Sequence, residues 1–105
     1  MAITLTKTYL QENTIRLSVI ADGSATGNLE VGFTPSKVEI TRKDTGMKFL
    51  STNGADKALK IAIDDGSVVV TQETDIVTYT GGTIAVGTDA DINVNEKTMI
   101  IDCFR

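Results

Sequence analysis

The residues of this chain best suited to chemistry are acidic. Asp89, Asp91 and Asn93 stand at alternate positions, the spacing at which the first ligands of a calcium loop offer oxygen to a hard cation. The rest of that motif departs from the pattern: Val94 occupies the position that needs Gly, and Ile100 the position of the closing bidentate Glu. The same alternation reads more simply as the solvated face of a strand-like segment whose other side carries Ala90, Ile92 and Val94. Asp64 and Asp65 form a second acidic pair, but neighbours on an extended chain point to opposite sides, and Gly66-Ser67 marks them as turn residues. A glycosidase would need two carboxyl groups facing each other across a cleft, about 5 to 9.5 Å apart. The chain has no His and a single Cys, so neither a Ser-His nor a Cys-His nucleophile can be assembled. Cys103 is expected as a small apolar filler in a strand. Gly81-Gly82 and Gly87 lack the Lys and the following helix of a phosphate loop. These residues therefore lead to no enzyme, no cofactor and no metal centre.

The elements that would position such residues are strands. The 105 residues suffice for one domain, residues 1–105, with a core that must be aliphatic, since the chain has no Trp, two Tyr and three Phe. Sixteen Thr favour extended structure. Residues 1–60 hold eight Lys or Arg against six Asp or Glu, and residues 61–105 two against eight, which together give the net charge of −4. The acidic second part argues against a nucleic-acid partner, which calls for clustered cations. The start MAITLTKTYL lacks a basic segment followed by about 7 to 15 apolar residues, and no window nears the roughly 20 needed to cross a bilayer, so no membrane partner is expected.

Taken in order, Ile3, Leu5 and Lys7 alternate with Thr4, Thr6 and Thr8. Ile15, Leu17 and Val19 share a second strand face, and Leu29, Val31 and Phe33 make a short third. Gly32-Phe33-Thr34-Pro35 leads into Lys37 to Lys43, where Val38 and Ile40 alternate with polar residues. Asp44-Thr45-Gly46 then predicts a hairpin. With Lys43 opposite Met47, Ile40 faces Leu50, and Met47 and Phe49 fall on the second face; a one-residue slip reverses this. Either register leaves an apolar side chain on the second face, which must be covered by another layer or by another molecule. Lys57 to Ile63 carries both a strand and a helix pattern, of which the strand is preferred. Val68 to Thr71 reads as a buried strand, joined to it by a tight turn. Ile76 to Tyr79 and Thr83 to Val86 flank the Gly81-Gly82 break, and Thr98 to Phe104 closes the chain with Met99, Ile101 and Cys103 on one face. Eight to ten short strands of this kind indicate an all-β antiparallel sandwich of jelly-roll or related topology.

Two stretches, GFTPSKVEI at Gly32 to Ile40 and Gly87-Thr88-Asp89-Ala90-Asp91 with Asn93 and Asn95 before the closing strand, give the chain a likeness. Over roughly residues 14 to 104 it resembles the small β-sandwich decoration, or cement, proteins of tailed-bacteriophage capsids, with an Asn53 to Lys60 loop and the Gly81-Gly82 break in similar order. Where such proteins tend to carry Tyr and Trp, this chain has Met47, Phe49 and Cys103. The resemblance implies a structural virion protein, assembled in the host cytoplasm. It would bind the outer surface of the head at junctions between major capsid protein subunits, as a homodimer or homotrimer. On the two-faced hairpin, Met47 and Phe49 are then expected to contact the shell, with Lys37, Arg42, Lys43 and Lys48 meeting acidic surface. The alternative is a receptor- or glycan-binding sandwich of a tail fibre or lectin, which would need exposed aromatic residues or a metal site.

Overall fold

Alternation of apolar and polar residues sorts this chain into strands with two unlike faces. The computed structural model describes residues 4–11, 13–64, 66–74, 76–89 and 91–105, and the expectations that fall on Ile3, Asp65 and Ala90 lie outside them. Among the described residues, ten strands form two antiparallel sheets. In spatial order, the large sheet comprises β1 (Thr4–Gln11), β2 (Thr14–Ile20), β10 (Thr98–Phe104), β4 (Lys37–Arg42), β5 (Lys48–Thr52), β6 (Ala58–Asp64) and β7 (Ser67–Glu73). The small sheet comprises β3 (Leu29–Glu30), β9 (Thr83–Val86) and β8 (Val77–Thr80). No helix occurs among the described residues, so none is long and apolar enough to cross a membrane. The all-β sandwich stands, with unequal layers: β4 to β7 meander within one sheet, where a jelly roll would divide its strands between two Greek keys.

The core lies where the small sheet covers the large one. The registers align Leu17 with Ile101, Ile101 with Ile40, and Ile40 with Phe49, a row of side chains that are all fully buried. Val19, Met99, Cys103 and Val38 complete this floor, and Ile84, Val86 and Leu29 close it from the small sheet, with Val31 just past β3. The hydroxyls of Tyr79 on β8 and Ser51 on β5 lie 2.8 Å apart and tie the two layers together. Gly32 to Ser36 is the crossing between layers. Gly32 takes φ 96°, which a side chain would oppose, and its N–H and that of Val31 both donate to Gly82 O. Pro35 is fully buried, and Ser36 N–H reaches Phe104 O. The third strand is accordingly shorter than expected, with Val31 and Phe33 given over to the crossing.

Two expectations about β4 to β7 are corrected. First, Ile40 pairs with Phe49 and Glu39 with Leu50, not Ile40 with Leu50. Arg42 N–H donates to Met47 O and Gly46 N–H to Arg42 O, both at 2.8 Å, so the loop is Lys43 to Gly46, with Gly46 at φ 79°. Lys43 N–H is meanwhile taken by Thr98 O on β10. This register buries the larger apolar side chain, and the area removed from water selects it. Second, the Lys57 to Ile63 segment is a strand as preferred, but Val68 to Thr71 is not buried. It lies on β7, the last strand of the sheet, and β7 is exposed almost throughout. Pairing with a single neighbour and projecting past the small sheet leaves both of its faces open.

Candidate functional site

The acidic residues are held by a lysine. Asp89, Asp91 and Asn93 are bonded as in a turn and not as in an extended segment: Asn93 N–H donates to Asp89 O at 2.8 Å, and Asp91 N–H to Asp89 Oδ1 at 2.9 Å. Lys60 on β6 places Nζ 2.6 Å from Asp91 Oδ2 and 3.3 Å from Asp89 Oδ1, with its ammonium 5.9 Å from the Phe49 ring centre. Burial pulls the Lys60 pKa down, but its bonds to Asp91 and Asp89 outweigh that and leave it above the ordinary lysine value. Asn93, expected on a solvated face, is instead buried. Its Nδ2 donates to Ser24 O and Gly87 O, both at 2.8 Å, and pins the 21–28 loop against the end of β9, while its Oδ1 has no partner. An ammonium thus occupies the centre where a cation would sit. Among the described residues no group of three or more His, Cys, Asp or Glu could hold a metal ion. Cys103 is a buried filler, its thiol pushed up to about 12 by burial.

The second feature is a reversal of polarity across the large sheet. From β2 to β5 the fully buried apolar side chains face the small sheet. Past β5 the row that begins Leu17, Ile101, Ile40, Phe49 continues as Lys60 and Thr71, while the row behind it runs Ser18, Ile100, Thr41, Lys48, Ile61, Val70. The β6–β7 hairpin therefore turns Leu59, Ile61, Val68 and Val70 away from the core. Leu59 is 41 % exposed, Val70 57 % and Val68 66 %. Leu50, partly buried, pairs with Leu59 and extends this patch onto β5. Arg16 and Asp102, linked at 2.7 and 3.0 Å, bound the polar half of the same face.

The six residues expected at an interface do not share one surface. Phe49 is fully buried and cannot touch a partner in the folded chain; Leu50 takes the outward place assigned to it. Lys37 and Lys48 are exposed and lie on the outward face with Leu50. Met47 and Arg42 fall on the other side. Met47, with Lys60, Ala62, Val69, Thr71, Glu73 and Asp91, lines an open groove of about 410 Å³. Arg42 binds Asp44 through Nε at 2.7 Å and Nη2 at 3.1 Å, and Asp91 O through Nη1 at 3.2 Å; it braces loops and leaves Asp44 below the usual carboxylate range. Lys43 is exposed on the hairpin loop. The outward role of Leu59 and Ile61 was legible as alternation, but which way it faced was not. Comparison with protein-family models, curated proteins and solved structures finds no match in any of the three.

Proposed function

We propose that this chain is a structural adhesion protein that decorates the outside of a tailed-phage head and binds its major capsid protein through the outward face of β5, β6 and β7. The observation that carries the reading is the reversed polarity of the β6–β7 hairpin, which presents Leu59, Val68 and Val70 to solvent, beside a partly buried Ile61 on the same face, when their burial would stabilise the domain. Each fully covered Val, Leu or Ile would contribute about 1.5 to 3 kcal/mol, so a sequence that leaves four facing outward keeps surface available to a partner. Lys37 and Lys48 on the same face would meet acidic groups of the shell. Many copies on one lattice act together, so each contact can be modest while the shell gains stiffness. The likeness of GFTPSKVEI and the 87–95 segment to capsid decoration proteins supplies the identity of the partner.

The test is co-sedimentation of the purified protein with empty phage heads stripped of decoration protein, and the temperature at which those heads open. Binding and a raised opening temperature are expected, and Leu50→Asp should remove both while circular dichroism shows an intact fold. Binding unaffected by Leu50→Asp and by Ile61→Asp would remove this face from the interface. The glycan-binding alternative finds no aromatic side chain lining the groove among the described residues; specific signals on a glycan array, or binding of calcium, would displace the decoration reading.

A further inference from the structure

The free edge of the large sheet at β7 is built to pair. A strand with one unpaired side is normally shielded by a Lys, a Pro, a bulge or short length. The opposite edge, β1, carries such devices: Lys7 at mid-strand and a register break between Tyr9 and Gln11. β7 has none. It runs seven residues, Ser-Val-Val-Val-Thr-Gln-Glu, without Lys or Pro, and its register against β6 is unbroken from Asp64↔Ser67 to Ala58↔Glu73. Among the described residues no strand lies beyond it.

The direction of its backbone groups follows from the turn. Asp64 and Ser67 close a hairpin across two intervening residues, and such a closing pair is doubly hydrogen-bonded. Ser67, Val69, Thr71 and Glu73 therefore spend their N–H and C=O groups on β6, while those of Val68, Val70 and Gln72 point outward.

We propose that β7 pairs antiparallel with β7 of a second copy of this chain, about a two-fold axis through Val70, to join two seven-stranded sheets into one. Only this centre brings every outward group into register, Val70 against Val70 and Val68 against Gln72 twice over, for roughly six inter-chain hydrogen bonds. The one charged side chain of the strand, Glu73, then falls opposite Ser67 and not opposite its own copy. On the outward face, Ile61 and Val70 meet Val70 and Ile61 of the partner, a continuous apolar row with Lys48 at each end. A head-to-tail union of β7 with β1 would instead propagate without limit, and the register break and Lys7 of β1 oppose it. The proposal does not rest on the capsid reading, since it concerns the free protein; within that reading, the two outward patches would form one surface.

The test is sedimentation equilibrium from about 1 µM to about 1 mM, where an edge pairing of this size should show a monomer–dimer transition. Val70→Lys sets two ammonium groups face to face on the axis, and Val70→Pro removes an outward N–H that β6 does not use. Each should weaken dimerisation about tenfold or more, with the urea midpoint at low protein concentration preserved. In the wild type, amide exchange at Val68, Val70 and Gln72 should slow as concentration rises. A strictly monomeric protein, a trimer or open polymer, or a dimer unmoved by both substitutions would overturn the assignment, whether or not the protein binds phage heads.

Discussion

Phe49 and Leu50 are adjacent in sequence, and the hairpin register gives them opposite fates, which a pair of alanine substitutions can separate. Phe49 is fully buried between Ile40 and the Lys60 stem, with the small sheet above it. Truncation to Ala removes a ring from the centre of the core and leaves a cavity that the neighbouring strands cannot fill, a loss of about 3 to 5 kcal/mol. A domain of this length has roughly 5 to 15 kcal/mol in total, so Phe49→Ala takes a large part of it. With a urea slope of about 1.5 kcal/mol per M, the midpoint should fall by about 2 to 3 M. Leu50 lies on the uncovered face, only partly buried and open to water where Phe49 is enclosed, so Leu50→Ala should cost about 1 kcal/mol and move the midpoint by well under 1 M. Equilibrium urea unfolding of both variants, followed by far-ultraviolet circular dichroism, measures the two shifts. If Leu50→Ala proves as damaging as Phe49→Ala, the hairpin is slipped by one residue, and the outward patch argued above does not exist.

Further outcomes follow from Lys60 and Cys103. Lys60→Met strips the ammonium from Asp89 and Asp91 and leaves the sheltered Asp89 carboxylate beside the half-exposed one of Asp91, so urea unfolding at neutral pH should show a loss of about 1 kcal/mol. Because the Lys60 pKa is raised in the folded chain, the contribution of this ammonium is complete below the ordinary lysine value of 10.5 and disappears as pH rises through the folded one. The Cys103 thiol, pushed up to about 12, should resist thiol reagents at pH 8 until the chain is unfolded in urea, and rapid labelling of native protein would contradict its burial. Since the fold favours the neutral thiol, the stability it contributes is whole below the ordinary value of 9.0 and is lost as pH climbs from there towards 12.

Much of the fold is local information, and the residues carried it. Ile15-Leu17-Val19, Val38-Ile40 and Met99-Ile101-Cys103 alternate with a period that only a half-covered strand satisfies, and all eight face the core. The Asp44 to Gly46 turn and the Gly81-Gly82 break fall where glycine freedom and short polar side chains put them. What period-two patterning leaves open is which of its two sides meets the core, because that depends on how much of the large sheet the small one can reach. Three strands cannot cover seven. The alternation of Leu59 and Ile61 is as regular as that of Leu17 and Val19, yet it faces away from the core, because past Ala58 the inner side of β6 meets Lys60 and its carboxylate partners and β7 lies beyond the cover. The same reach decided that Phe49 and not Leu50 is buried, and that Lys60 closes on Asp89 and Asp91, residues twenty-nine and more positions away in the chain. Strand and turn are written in the sequence of each segment; the side that becomes interior, and the edge left waiting for a neighbour, exist only once both sheets have been laid together.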